Sequence, residues 1–130
     1  MSELLAPPDV EPAVVEVLTP CAGWVGTKFV DHAAGSIRVS ATGGGSPVDV
    51  VVASPTVLVE CWHEDAGESW RIAATAHATL TAAAGQTVAG VVIRKVDATL
   101  PNNNPDLNRR ALVRFQFIAT VHSRMTVLEV

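Results

Sequence analysis

Cys61 and His63 fall on one side of a strand-like stretch, and with Cys21, His32, His77 or His122 they would supply the soft and imidazole ligands that tetrahedral zinc prefers. No pair among them has finger-like spacing, so a core thiol beside a rim imidazole is the simpler expectation. Glu60 and Glu64 are the candidate carboxylate pair. Four residues apart on a strand, they stand roughly 13 Å from each other at about 3.3 Å per residue, beyond the roughly 5 to 9.5 Å that glycosidase pairs use. Both read as solvated. A nucleophilic serine needs a strained turn and a base beside it, yet Gly-x-Ser-x-Gly does not occur and the sequence singles out no histidine.

Gly43-Gly44-Gly45-Ser46 lacks the lysine that follows the glycines of a phosphate loop and precedes a strand, so it reads as a hairpin tip. Arg109, Arg110 and Arg114 make the basic cluster. Without interleaved aromatic residues, their attraction to phosphate is independent of base sequence. No catalytic residue, metal or cofactor is therefore expected. The ten-residue turn Pro101 to Arg110, rich in proline, asparagine and arginine, points to a surface for a partner.

Composition agrees with an assembling protein. Apolar residues make up 48% of the 130 and charged residues 17%, enough hydrophobic content for one core and a surface short of charge. Aromatic residues total 5% with no tyrosine, so small and β-branched side chains must build that core and base stacking is disfavoured. Residues 1–89 hold three bases against ten acids, a formal −7, whereas residues 90–124 hold six bases against two acids, +4; Glu129 completes the net −4. Opposed halves of this kind can guide one copy against the next, and Arg114→Glu is expected to weaken self-assembly more than folding. Two cysteines forty positions apart fit reduced thiols in a reducing cytoplasm. The first residues lack the features of a secretory signal, and no run of eighteen apolar residues suggests a membrane span.

The elements that carry these residues follow from periodicity. Asp9 caps a short helix that ends before Thr19-Pro20, with Val10, Val14, Val15 and Leu18 as its stripe. Ser36 to Thr42 alternates as a half-buried strand and forms a hairpin with Val48 to Ala53 around the glycine tip. Thr56 to His63 carries apolar groups on both faces, so it is central. Asp65 to about Ala84 is the principal helix, capped by Asp65 or Ser69 and stopped by Gly85, with Trp70, Ala73, Ala74, His77 and Leu80 near one face. Trp24, Trp62 and Trp70 are expected in the core. Val91 to Thr99 and Ala111 to Val121 close the sheet, the latter with Val113, Phe115, Phe117, Ala119 and Val121 inward. The expectation is a single α+β domain over residues 1–130, with residues 1–8 a flexible N-terminus. It has one mixed, mostly antiparallel sheet, two helices on one face and extended hairpin loops.

The early helix, Val25-Gly26-Thr27-Lys28 before a first strand, the middle strand Val57 to Trp62, the alanine-rich helix with Trp70, and Leu100-Pro101-Asn102 before a long final strand resemble the tail terminator proteins of long-tailed bacteriophages. The resemblance spans roughly residues 8–124. It implies a non-enzymatic virion protein of the tail–neck junction, made in the host cytoplasm, that forms a hexameric ring. Such a ring caps the tail tube protein, ends its polymerisation and meets a head-completion or connector protein, with genome DNA passing through its lumen without sequence-specific binding. Gly43, Gly44, Gly45, Ser46, Asn102, Asn103, Asn104, Arg109, Arg110 and Arg114 are the expected interface residues. Another head-to-tail joining protein, or a small cytoplasmic binding module, is the alternative.

Overall fold

The computed structural model describes residues 3–44 and 51–129. Its elements are β1 (Glu3–Ala6), α1 (Val10–Leu18), β2 (Trp24–Gly26), β3 (Ser36–Gly44), β4 (Val52–Ala53), β5 (Pro55–His63), α2 (Ala66–Thr81), β6 (Thr87–Val88), β7 (Val91–Ala98), β8 (Asn102–Asn103), β9 (Val113–Arg124) and β10 (Thr126–Glu129). The main sheet has the order β2-β3-β5-β9-β7-β6, and β4 and β8 also pair with β9. Among the described residues only β2 and β3 run parallel. The fold is α+β, a mixed and mostly antiparallel sheet with both helices on one face.

Each helix begins where its cap dictates. Asp9 accepts from the Glu11 backbone N–H, and Asp65 accepts from that of Glu68 at 2.8 Å. The buried face joins Val10, Val14 and Leu18 of α1 and Ile72, Ala73, Ala76 and Leu80 of α2 to Ile37, Val39, Val57, Val59, Phe117, Ala119 and Val121 of the sheet. Small residues on α2 let its axis approach the strands closely. At Gly35, just before β3 and with φ +94°, an added Cβ would stand 2.3 Å from Ile72 Cδ1 of α2.

The structure corrects four expectations. The buried face of α2 is rotated: Ser69 and Ile72 lie inside, while Trp70 is nearly half exposed and touches Phe115 edge-on. A serine can occupy that face because its hydroxyl reaches Val113 O at 2.8 Å and Cys61 O at 3.2 Å. Trp24 is also exposed, so of the three tryptophans Trp62 alone is core. The expected hairpin of β3 with Val48 to Ala53 is not seen among the described residues, and residues 48–50 lie outside them. Strand β3 pairs with β5, and Val52–Ala53 pairs with β9 instead. Finally, Glu3–Ala6, read as part of a flexible start, forms a strand paired antiparallel with Thr126–Glu129.

Candidate interaction face

Helices leave the other face of the sheet uncovered, and strand alternation fixes which residues it presents. The register sets Ser36, Trp62 and Arg114 in one row, Arg38, Glu60, Gln116 and Asn102 in the next, then Ser40, Leu58 and Ile118, then Thr56, Thr120 and Asp97. One end of this face is closed by residues 27–35 and 104–112. Trp62, 1% exposed, meets Phe29 edge-to-face at 4.8 Å. The Arg109 guanidinium lies 4.0 Å from the centre of the Phe29 ring, and Arg38, Arg109 and Arg114 surround the indole at 5.2 to 5.9 Å.

Those three cations hold two carboxylates. Glu60, 2% exposed, accepts from Arg38 at 2.8 Å through one oxygen and from Arg114 at 2.9 Å through the other. Arg114 also donates to the Asn104 carbonyl at 2.7 Å. Asp106 pairs with Arg109 at 2.8 Å and accepts from the Asn108 N–H at 3.0 Å. The Arg109 hydrogen bond is the main reason the Asp106 carboxyl is held below its ordinary range, with the Asn108 N–H and the charges of Arg109 and Arg114 adding to it. The indole Nε1 of Trp62 is buried without a partner among the described residues, a cost of about 1–3 kcal/mol that the surrounding contacts must offset.

Of the expected interface residues, Arg109 and Arg114 thus spend their charges inside the subunit. Glu60, expected in solvent, is the buried hub between them. Arg110 remains exposed. Asn102 and Asn103 extend the sheet opposite Gln116 and Phe115, and the Asn104 N–H donates to Arg114 O, so the start of this loop is bound to β9. Gly43 and Gly44 end β3 in exposed positions. An added Cβ at Gly44 would meet Ser54 O at 2.4 Å, so glycine there serves a close backbone approach. Gly45 and Ser46 lie outside the described residues.

A second chain of polar groups crosses the far end of the face, and sequence reasoning missed it. Ser54 Oγ is 3.0 Å from His122 Nδ1, and His122 Nε2 is 2.9 Å from Asp97 Oδ2. With Nε2–H donating to Asp97, Nδ1 is left to accept from the Ser54 hydroxyl. The His122–Asp97 hydrogen bond heads the causes that lower the Asp97 carboxyl. The residue types are those of a serine nucleophile, its base and an orienting acid. Two features oppose that use. The residue after Ser54 is Pro55, which has no N–H to hold an oxyanion, and the Asp97 side chain is more than half exposed, where water competes for it. The arrangement instead ties the β4–β5 junction to β9 and β7. Only the strand register brings positions 54, 97 and 122 together, so no spacing in the sequence announces them.

Cys61 is buried under α2, where desolvation, then the nearby Cys21 and Glu60, push its thiol far up. Both cysteines are free. Among the described residues no three His, Cys, Asp or Glu side chains are grouped to hold a metal ion, and no helix is long and apolar enough to cross a membrane. A shallow cleft of about 480 Å³ lies on the helix side between the ends of α1 and α2, lined by Glu16, Val17, Thr79, Ala83, Gln86 and Val88.

What the uncovered face leaves open is apolar and hydroxylic. Ile118 is 46% exposed and Leu58 is half-buried beside it. Thr42, Thr56 and Thr120 border the pair, the first two joined through their hydroxyls at 2.7 Å. No protein-family model matches the chain, and the search of curated proteins returns no significant match.

Proposed function

We propose that the protein is a structural component of a phage virion, a tail terminator that assembles as a ring on the end of the tail tube and joins it to the head connector. The observation that carries this reading is the uncovered sheet face. Its strong polar groups are consumed in ion pairs within the subunit, and what remains is the Leu58–Ile118 pair with the threonines around it, suited to another protein surface. The order of helix, strands, alanine-rich helix and long final strand supports the resemblance on which the reading also rests. Copies would meet head to tail, a heterologous contact that closes only as a ring.

The test is electron microscopy and native mass spectrometry of the purified protein, alone and mixed with tail tubes. Rings of defined copy number at tube ends, with tubes that cease to lengthen, are the expected result. A protein that leaves tube growth unchanged and never associates overturns the proposal.

A further inference from the structure

Past His122 and Asp97 the sheet ends in a rim where cations stand without counter-ions. The register of β7 against β9 shifts between Ile93 and Lys95, and Lys95 pairs directly with His122. Such a bulge sets two residues of one strand against one of the other, and here Arg94 and Lys95 are both exposed between the buried Ile93 and Val96. Arg124, the last residue of β9, follows His122 by two positions and so lies on the same side of the sheet as Lys95. The two are diagonal neighbours, about 7–8 Å apart at the backbone. One acid stands beside them. Asp97 Oδ2 is 2.9 Å from His122 Nε2 and 3.5 Å from Lys95 Nζ, whereas Arg94 and Arg124 meet no carboxylate among the described residues.

The arginines elsewhere differ. Arg38, Arg71, Arg109 and Arg114 each lie against a carboxylate of their own subunit, so the attraction to phosphate expected of Arg109 and Arg114 is spent internally. The positive charge left open is at the opposite end of β9. A chain of net charge −4 repels a polyanion over most of its surface, which leaves the rim as the place where one can approach. Nucleic acid offers an unbroken line of charge, one phosphate per about 3.4 Å of each strand, so that every cation of the rim finds a partner at once. An acidic peptide would have to place a carboxylate at each step. No Trp or Phe stands near 94–95 or 124 in the sequence to stack on a base, so the contact is to the backbone alone.

We propose that Arg94, Lys95 and Arg124 form a binding rim for the phosphodiester backbone of nucleic acid, engaged without regard to base sequence. Three cations make a weak, salt-sensitive contact. It belongs to a single subunit and does not depend on the ring reading; copies set side by side along one polymer would strengthen it by raising the effective concentration of each rim.

Fluorescence anisotropy of a short fluorescein-labelled DNA duplex, titrated with the protein at rising salt, tests it. With three phosphates neutralised, the logarithm of the binding constant should fall against that of the salt concentration with a slope of about −2.7. Arg94→Ala with Arg124→Ala should bind roughly tenfold more weakly or worse at low salt, with a slope near about −0.9 and an unchanged melting temperature, since neither side chain is buried or paired. Arg94→Lys with Arg124→Lys keeps the charge and should retain most of the binding. Arg110→Ala, which removes an exposed cation before the other end of β9, should bind as the wild type does. A wild type that leaves the duplex free at low salt, an alanine pair that binds like the wild type, or an equal loss in Arg110→Ala overturns the rim. Displacement of the duplex by polyglutamate at equal charge would assign the rim to an acidic protein and overturn the nucleic-acid partner. No tube or ring enters the measurement, so the tail reading stands or falls separately.

Discussion

Arg114 Nη1 donates to Glu60 Oε2 at 2.9 Å, joining β9 to β5 on the face that no helix covers. Because Glu60 is almost wholly buried and accepts from Arg38 through its other oxygen, the carboxylate is the shared anchor of two cations. Glu60→Ala leaves Arg38 without its carboxylate and Arg114 with only the more distant Asp106, at 3.9 Å, and should cost about 3 kcal/mol of monomer stability in urea unfolding. Arg114→Glu sets two carboxylates together at the same place and should cost as much. This reverses the expectation from charge alone, that Arg114 acts in assembly more than in folding, and an Arg114→Glu monomer with wild-type stability would refute it.

Acid should loosen residues 104–112 before the core. The folded Asp106 carboxyl is held below its ordinary range, chiefly by the Arg109 hydrogen bond, so the unfolded state binds the proton more readily. Its stabilising contribution is present above about pH 4 and is lost as the pH falls through the lowered folded value. Amide exchange at Asn108, whose N–H donates to Asp106, should accelerate in that window while α2 amides stay protected. Asp106→Asn should remove the pH dependence.

The two thiols should separate by reactivity. Cys21 is half-buried and Cys61 buried with its thiol pushed up, so a thiol reagent at pH 8 is expected to label one site per native chain and two in denaturant. Labelling of Cys61 in the native protein at a rate near that of Cys21 would contradict the packing of α2 over β5.

Gly35→Ala should destabilise the fold by roughly 2 kcal/mol or more. It places a Cβ on a left-handed backbone and drives it into the Ile72 methyl group, which is itself in the core. Thermal unfolding measures the loss, and the paired variant Gly35→Ala, Ile72→Val should recover part of it.

Replacing Asn102 to Asn104 with glycine should lower stability by roughly 1–3 kcal/mol, since the three backbones are held in pairing with β9 and glycine raises the entropy lost on ordering them. The sequence suggests a free loop whose fold would survive the change; equal melting temperatures would restore that view.

Periodic residues made most of the architecture legible before the structure. Asp9 and Asp65 mark both helix starts, and the alternation through Val57, Val59 and Cys61, and through Phe115, Phe117 and Ala119, identifies the central strands and their inner faces. What escaped depends on partners distant in sequence. Ser69 is polar, so only its acceptors on β5 and β9 reveal why it faces inward. Arg109 and Arg114 look like a free basic patch until the register brings Glu60 beside them and the turn at Asp106 folds back. Leu4-Leu5 is too short a run to read as a strand, because its pairing partner lies at the opposite end of the sequence. Ser54, His122 and Asp97 meet only once β4, β7 and β9 are aligned.

Strand β9 lies between β5 and β7 and also receives β4 and β8, so it is the keystone of the sheet although it is synthesised after all four. A nascent chain must hold one edge each of β5 and β7 naked until residue 124 has left the exit tunnel, which places the aggregation hazard early in biogenesis and makes acquisition of the native sheet slow and highly cooperative. Slower translation at reduced temperature, or a holdase that shelters those edges, then governs how much soluble protein a cell yields.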